Sequence, residues 1–182
     1  MKLSKILVVA FLMFIFCITA CAGLQTTSPP TPVVKWPFDV SKKDSSVNQE
    51  FRIDEYRSYY IALRFDYTDR ADNHRVFALV GDGSAEDPGI AIPIHIKIYT
   101  LNAENKSSRL IYKNTIFTKK HYVHGGDGNY RREIIAINLE PGIYRVEANT
   151  TENRPEFSGT PSYLQIEPHS QIRFLPDQVL VK

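Results

Sequence analysis

Between Ile92 and Tyr99 the chain reads Ile-Pro-Ile-His-Ile-Lys-Ile-Tyr, with four isoleucines at every second position and polar or ring-bearing residues between them. A strict period of two puts all four isoleucines on one face of an extended strand, whereas a helix would scatter them around its circumference. The same rule covers Ser58 to Tyr67, where Tyr59, Ile61, Leu63, Phe65 and Tyr67 share a face. Shorter runs follow at Val47–Ile53, Leu110–Phe117, Arg131–Leu139, Ile143–Asn149 and Tyr163–Glu167. Half-buried alternation belongs to antiparallel sheets with one face on a core. Seven or eight such strands predict a mainly β fold, an antiparallel β-sandwich of immunoglobulin-like or similar build.

The punctuation agrees with this fold. Glu140-Pro141-Gly142 separates two of the runs, with Pro and Gly suited to the central positions of a type II turn. Asn102–Ser108 and Gly125–Asn129 are polar connections. One short helix is expected from Asp69 to Val80: Asp69 or Asp72 can cap it, Val76, Leu79 and Val80 form its apolar stripe, and Gly81 fits the position after its end.

The amino terminus carries a different message. Lys2 and Lys5 precede an unbroken apolar run of eleven residues, Ile6 to Phe16. A permanent membrane span needs about 20 such residues, so this run has the size of a signal-peptide core. Ile18-Thr19-Ala20-Cys21 is similar to the lipobox of bacterial lipoproteins. That similarity implies cleavage after Ala20 and acylation of Cys21. Stable anchoring takes more than one chain, each buried methylene adding about 0.8 kcal/mol. Residues 1–20 are thus expected to be a signal peptide, 21–35 a lipidated cysteine with a proline-rich tether, and 36–182 a single domain. Ala22, in place of an aspartate, implies sorting to the outer membrane, facing the periplasm.

Charge and cysteine usage then exclude several functions. Formal charge is +2, but without Lys2 and Lys5 the mature chain has 20 basic and 20 acidic residues. A neutral chain without a basic stripe is a poor nucleic-acid binder. Cys17 leaves with the signal and Cys21 is lipidated, so the domain has no disulfide, cysteine nucleophile or thiolate-bound zinc. Gly-x-Ser-x-Gly, Ser-x-x-Lys and His-Glu-x-x-His are all absent. Glu50, Asp66 and Glu133 are candidates for a glycosidase-like carboxylate pair only if the fold brings two of them together.

Several pieces resemble one family across nearly the whole mature domain. They are Phe51-Arg52-Ile53, Tyr59-Tyr60 through Phe65, Leu79-Val80-Gly81-Asp82-Gly83, Pro93 to Tyr99, Pro141 to Ala148, and Glu156-Phe157-Ser158-Gly159-Thr160-Pro161-Ser162. The set resembles a domain-of-unknown-function family of Gram-negative, proteobacterial lipoproteins. That resemblance carries over no catalytic residue. Small periplasmic lipoproteins of comparable build include immunity proteins that sit beside secreted antibacterial effectors.

The most suggestive segment is His121 to Tyr130, in which His121, Tyr122, His124, Asp127 and Tyr130 form a candidate interaction loop. A metal there would need His121, His124 and Asp127 to converge with a further ligand such as His95; in an extended strand residues three apart face opposite ways, so no metal is assigned. The acidic stretch Gly81 to Asp87 lacks the ligand spacing of a calcium loop and reads as a solvated connection. Tyr60, Tyr99, Tyr122 and Tyr130 are expected on outward faces or loops, where tyrosine suits recognition. The expectation is a monomeric, non-enzymatic, membrane-anchored binding protein without cofactor, an immunity or inhibitor protein against a secreted effector. The alternative is a glycan- or envelope-binding module, or a weak hydrolase, working through the 121–130 loop.

Overall fold

A computed structural model describes residues 34–82, 84, 86–102, 107–118, 123–126 and 128–169, with 123–126 as backbone. In chain order the elements are β1 (Val34–Pro37), β2 (Ser46–Ile53), β3 (Arg57–Asp66), α1 (Arg70–Val80), β4 (Pro93–Leu101), β5 (Ser108–Phe117), β6 (Val123–Gly126), β7 (Asn129–Leu139), β8 (Gly142–Thr150), a 3-10 turn (Pro155–Phe157) and β9 (Ser162–Pro168). The strands form a five-stranded sheet, β1-β9-β3-β7-β6, and a four-stranded sheet, β2-β8-β4-β5. Every pairing is antiparallel. The fold is therefore a mainly β sandwich with one short helix.

The alternation read from the sequence lines the core as expected. Ile92, Ile94, Ile96 and Ile98 are fully buried, as are Ile61, Leu63 and Phe65 of β3. They meet Val146 of β8 and Leu164 and Ile166 of β9 between the sheets. At about 25 cal/mol per Å² of apolar surface, burying one such side chain is worth about 1.5–3 kcal/mol, and a disulfide-free domain rests on this sum.

Three local readings change. Val34 and Lys35, assigned to the tether, belong to β1, where Val34 pairs with Ile166 and Lys35 with Gln165. Residues 123–126, read as part of a loop, form β6 along the edge of β7. Two adjacent glycines and the lack of apolar alternation concealed it. Gly142 is not at positive φ, so the type II turn is not formed. Gly142 instead pairs with Ile53 as the first residue of β8, and Glu140-Pro141 carries the chain from one sheet to the other. Tyr144 secures that corner by donating its hydroxyl to the Glu140 carbonyl at 2.8 Å.

Helix α1 follows its sequence signals. Asp69 caps it by accepting from the Asp72 N–H at 2.9 Å, and Gly81 ends it at φ 76°, donating its N–H to the Phe77 carbonyl at 2.7 Å. Beneath the helix end lies Arg132 of β7, which points into the sandwich and is 1% exposed. Its guanidinium donates to the carbonyls of Ile90 (2.6 Å), Thr118 (3.0 Å) and Val80. The helix carboxyl end, with its unpaired carbonyls, is a favourable seat for a cation. Burial pushes the guanidinium pKa down to about 10, against the opposing pull of Asp87. Gly89 passes so close, at φ 63°, that a Cβ there would collide with the Val80 carbonyl and Arg132.

Candidate functional site

Of the five residues proposed for the 121–130 loop, His121, Tyr122 and Asp127 lie outside the described residues. His124 occupies β6 at the register position of Arg131. Tyr130, expected on an outward face or loop, instead turns toward α1. Its hydroxyl donates to Asn73 at 2.8 Å, and its ring lies 5.4 Å from Tyr67 and 5.6 Å from Phe77. Burial raises the pKa of its phenol, so Tyr130 docks the helix with its polar tip satisfied.

The carboxylates of the hydrolase alternative do not converge. Glu50 lies on β2 of the four-stranded sheet, whereas Asp66 and Glu133 lie on the five-stranded sheet. Asp66 pairs with Asn129 and Ala62 with Glu133, so Asp66 and Glu133 are four residues apart along the strands, about 13 Å. Asp66 is also engaged by Arg64 at 2.5 Å and Lys35 at 3.8 Å. His95, the suggested further metal ligand, bonds Thr115 through Nδ1 at 3.0 Å. Among the described residues no three His, Cys, Asp or Glu side chains are grouped to hold a metal, and no helix is long and apolar enough to cross a membrane.

What the fold does assemble is a patterned outer face on the four-stranded sheet. Because β4 buries its isoleucines, His95, Lys97 and Tyr99 face out, and the register sets Asn149, Glu147 and Arg145 of β8 beside them. Beyond β8 lie Asn48 and Glu50 of β2, and beyond β4 lie Thr115 and Lys113 of β5. Glu147 is the hub. It accepts the Tyr99 hydroxyl at 3.2 Å and pairs with Lys97 at 3.7 Å and Arg145 at 3.4 Å. The Arg145 guanidinium lies over the Tyr99 ring, 4.7 Å from its centroid. Its Nε is close enough to Glu147 for an ion pair, yet has no hydrogen-bond partner. Alternation in the sequence identified the outward residues of β4, but only the strand register reveals which charges meet them.

A second feature is an open depression of about 400 Å³ where residues 37–42 meet the Ser158–Ser162 segment. Asp39 on its rim is held below the usual carboxylate range by hydrogen bonds from Ser41 and then Lys42. Ser158 and Thr160 add hydroxyls, and Thr160 accepts from Arg75 of α1 at 2.9 Å.

Fold and surface together define a disulfide-free antiparallel β-sandwich domain with one docked helix. Residues 35–168 match the family described as Domain of unknown function (DUF5625), which spans well over half the chain, and the chain belongs to that family. The crystal structure of GEBA250068378 from Sulfurospirillum deleyianum is similar, with 25% identity and a TM-score of 0.68, covering 78% of this chain and 99% of that one. The VP2 subviral particle of infectious bursal disease virus overlaps 81% of this chain and 36% of its own, at 11% identity and a TM-score of 0.29, too low to relate the two folds. No curated protein sequence matches the chain.

Proposed function

We propose that the chain is a lipoprotein of the Gram-negative envelope whose sandwich domain is a non-enzymatic binding protein, an immunity or inhibitor protein that neutralises a secreted effector in the periplasm. The observation that carries this reading is the lipobox Ile18-Thr19-Ala20-Cys21, with twelve residues between Cys21 and the first strand at Val34. Residues 22–33 include Pro29, Pro30 and Pro32, a composition suited to a spacer between anchor and domain. An anchored domain on such a spacer meets an incoming protein at the membrane surface without leaving the cell that makes it. Ala22 after the modified cysteine favours the outer membrane.

The test is growth competition on a solid surface between the parent strain and a strain lacking this chain. The deletion strain is expected to be lost from contact with the parent and rescued by the wild-type gene. Equal growth of the two strains in contact would contradict an immunity role.

A second reading, a glycan- or envelope-binding module, is favoured by the depression beside Asp39, Ser158 and Thr160, where hydroxyls flank an ionised carboxylate. Retention of the domain on peptidoglycan or polysaccharide, lost on Asp39→Ala, would support it.

A further inference from the structure

On the outer face of the four-stranded sheet, four cations (Arg52, Lys97, Lys113 and Arg145) share the outward register positions with two carboxylates, Glu50 and Glu147, and Arg52 is answered by Asp54 just past β2 at 2.8 Å. The outer face of the five-stranded sheet is balanced, with Lys35, Arg64 and Arg131 against Asp66, Glu133 and Glu167. Of the two outer faces, only that of the four-stranded sheet keeps an excess of positive charge, and that excess lies at its Lys97–Lys113 side.

Its arrangement is costly for folding alone. Lys97 and Lys113 stand directly opposite each other on β4 and β5, a like-charge cross-strand pair that weakens a sheet. Glu147 answers Lys97, while Lys113 has no carboxylate partner among the described residues. At the other edge Glu50 faces Arg145 across β2 and β8, yet Arg145 is drawn to Glu147 and Tyr99. The surface therefore ends with an unanswered cation on β5 and an unanswered carboxylate on β2. Three strand spacings separate those strands, about 14 Å. Between them sits Arg145 stacked on Tyr99, both residue types that dominate protein interfaces, held in place by Glu147.

We propose that this face docks a predominantly acidic protein surface, whose carboxylates meet Lys97, Lys113 and Arg145 and which sets a cation opposite Glu50. Glu50 and Glu147 would oppose an anionic lipid surface, which favours a protein occupant. The inference deepens the binding-protein reading by naming the surface and the charge of its partner.

The test uses the full-length chain in neutral detergent micelles and a fluorescein-labelled dodecapeptide rich in Asp and Glu, titrated by fluorescence anisotropy. Saturable binding is expected, weakened at least tenfold between low and moderate salt because the contacts are exposed ion pairs. Lys113→Glu is expected to raise the thermal midpoint by pairing with Lys97, and to weaken peptide binding at least tenfold. Lys35→Glu, an equal charge change on the other sheet, should leave binding within twofold. Absence of saturable binding, retention of it in Lys113→Glu, or an equal loss in Lys35→Glu would overturn the proposal. A second arm dopes the micelles with phosphatidylglycerol: retained peptide binding supports a protein partner, and displacement at low lipid fractions would reassign the face to anionic lipid. The assay is indifferent to acylation of Cys21 and to the effector's identity, so its failure and the failure of the anchoring or immunity reading are distinguished.

Discussion

Arg132 donates its Nη1–H to the backbone carbonyl of Thr118 at 3.0 Å, joining β7 of the five-stranded sheet to the chain leaving β5 of the other sheet. The same guanidinium holds Ile90 and the end of α1, so one buried cation gathers the loop, the helix and both sheets. Arg132→Met leaves those carbonyls without a donor, at about 1–3 kcal/mol for each unsatisfied group. Relief of the buried charge offsets part of that loss. A net destabilisation of about 2–4 kcal/mol is expected in the urea midpoint at an unchanged slope; an unchanged midpoint would show that the clasp is dispensable.

Gly89 makes that clasp possible. At φ 63°, beside the Val80 carbonyl, it has no room for a side chain. Gly89→Ala is expected to cost about 1–3 kcal/mol through the left-handed backbone, and more through the collision. Thermal unfolding of this variant should fall well below that of Gly159→Ala. Gly159 shares the positive φ, but its Cβ would meet nothing within 4 Å.

Tyr130 separates packing from recognition. Tyr130→Phe removes the bond to Asn73 and is expected to cost about 0.5–1.5 kcal/mol, with Tyr130→Ala losing about 3 kcal/mol or more by also unpacking Phe77 and Tyr67. Chemical denaturation measures both, and wild-type stability in Tyr130→Ala would return this ring to the surface.

Glu133 predicts a pH dependence. Burial on the outer face of the five-stranded sheet raises its pKa above the ordinary carboxylate value. A carboxyl raised in the folded state favours folding in its protonated form, and that contribution fades as pH rises through the folded pKa. Glu133→Gln should therefore raise the thermal midpoint at pH 7 and leave it unchanged well below pH 4. An equal effect at both pH values would assign it to packing instead of charge.

The outline of the sandwich was legible because alternation is a local signal. Ile92 to Ile98 and Tyr59 to Phe65 announce their buried face without reference to any other strand. Asp69 and Gly81 announced the ends of α1 for the same reason, since caps act within four residues. Val34–Pro37 and Val123–Gly126 were missed because each is a short edge strand defined by its partner, Tyr163–Ile166 for one and Asn129–Arg132 for the other. Local sequence places Tyr130 outward because its partner, Asn73, lies 57 residues away. The Tyr99–Arg145–Glu147 group was likewise hidden: each residue is visible in its strand, but their meeting depends on a register that no local pattern specifies.

The proposed anchoring requires Cys21 to be the acylated first residue of the mature chain. The most direct measurement is the intact mass of the chain from cells fed an alkyne fatty acid, compared with Cys21→Ser. The predicted result is a chain beginning at residue 21 that carries acyl mass and the alkyne label, with Cys21→Ser unlabelled and retaining residues 1–20. A wild-type chain that lacks acyl mass, or a Cys21→Ser chain that still takes up label, would contradict the anchoring claim.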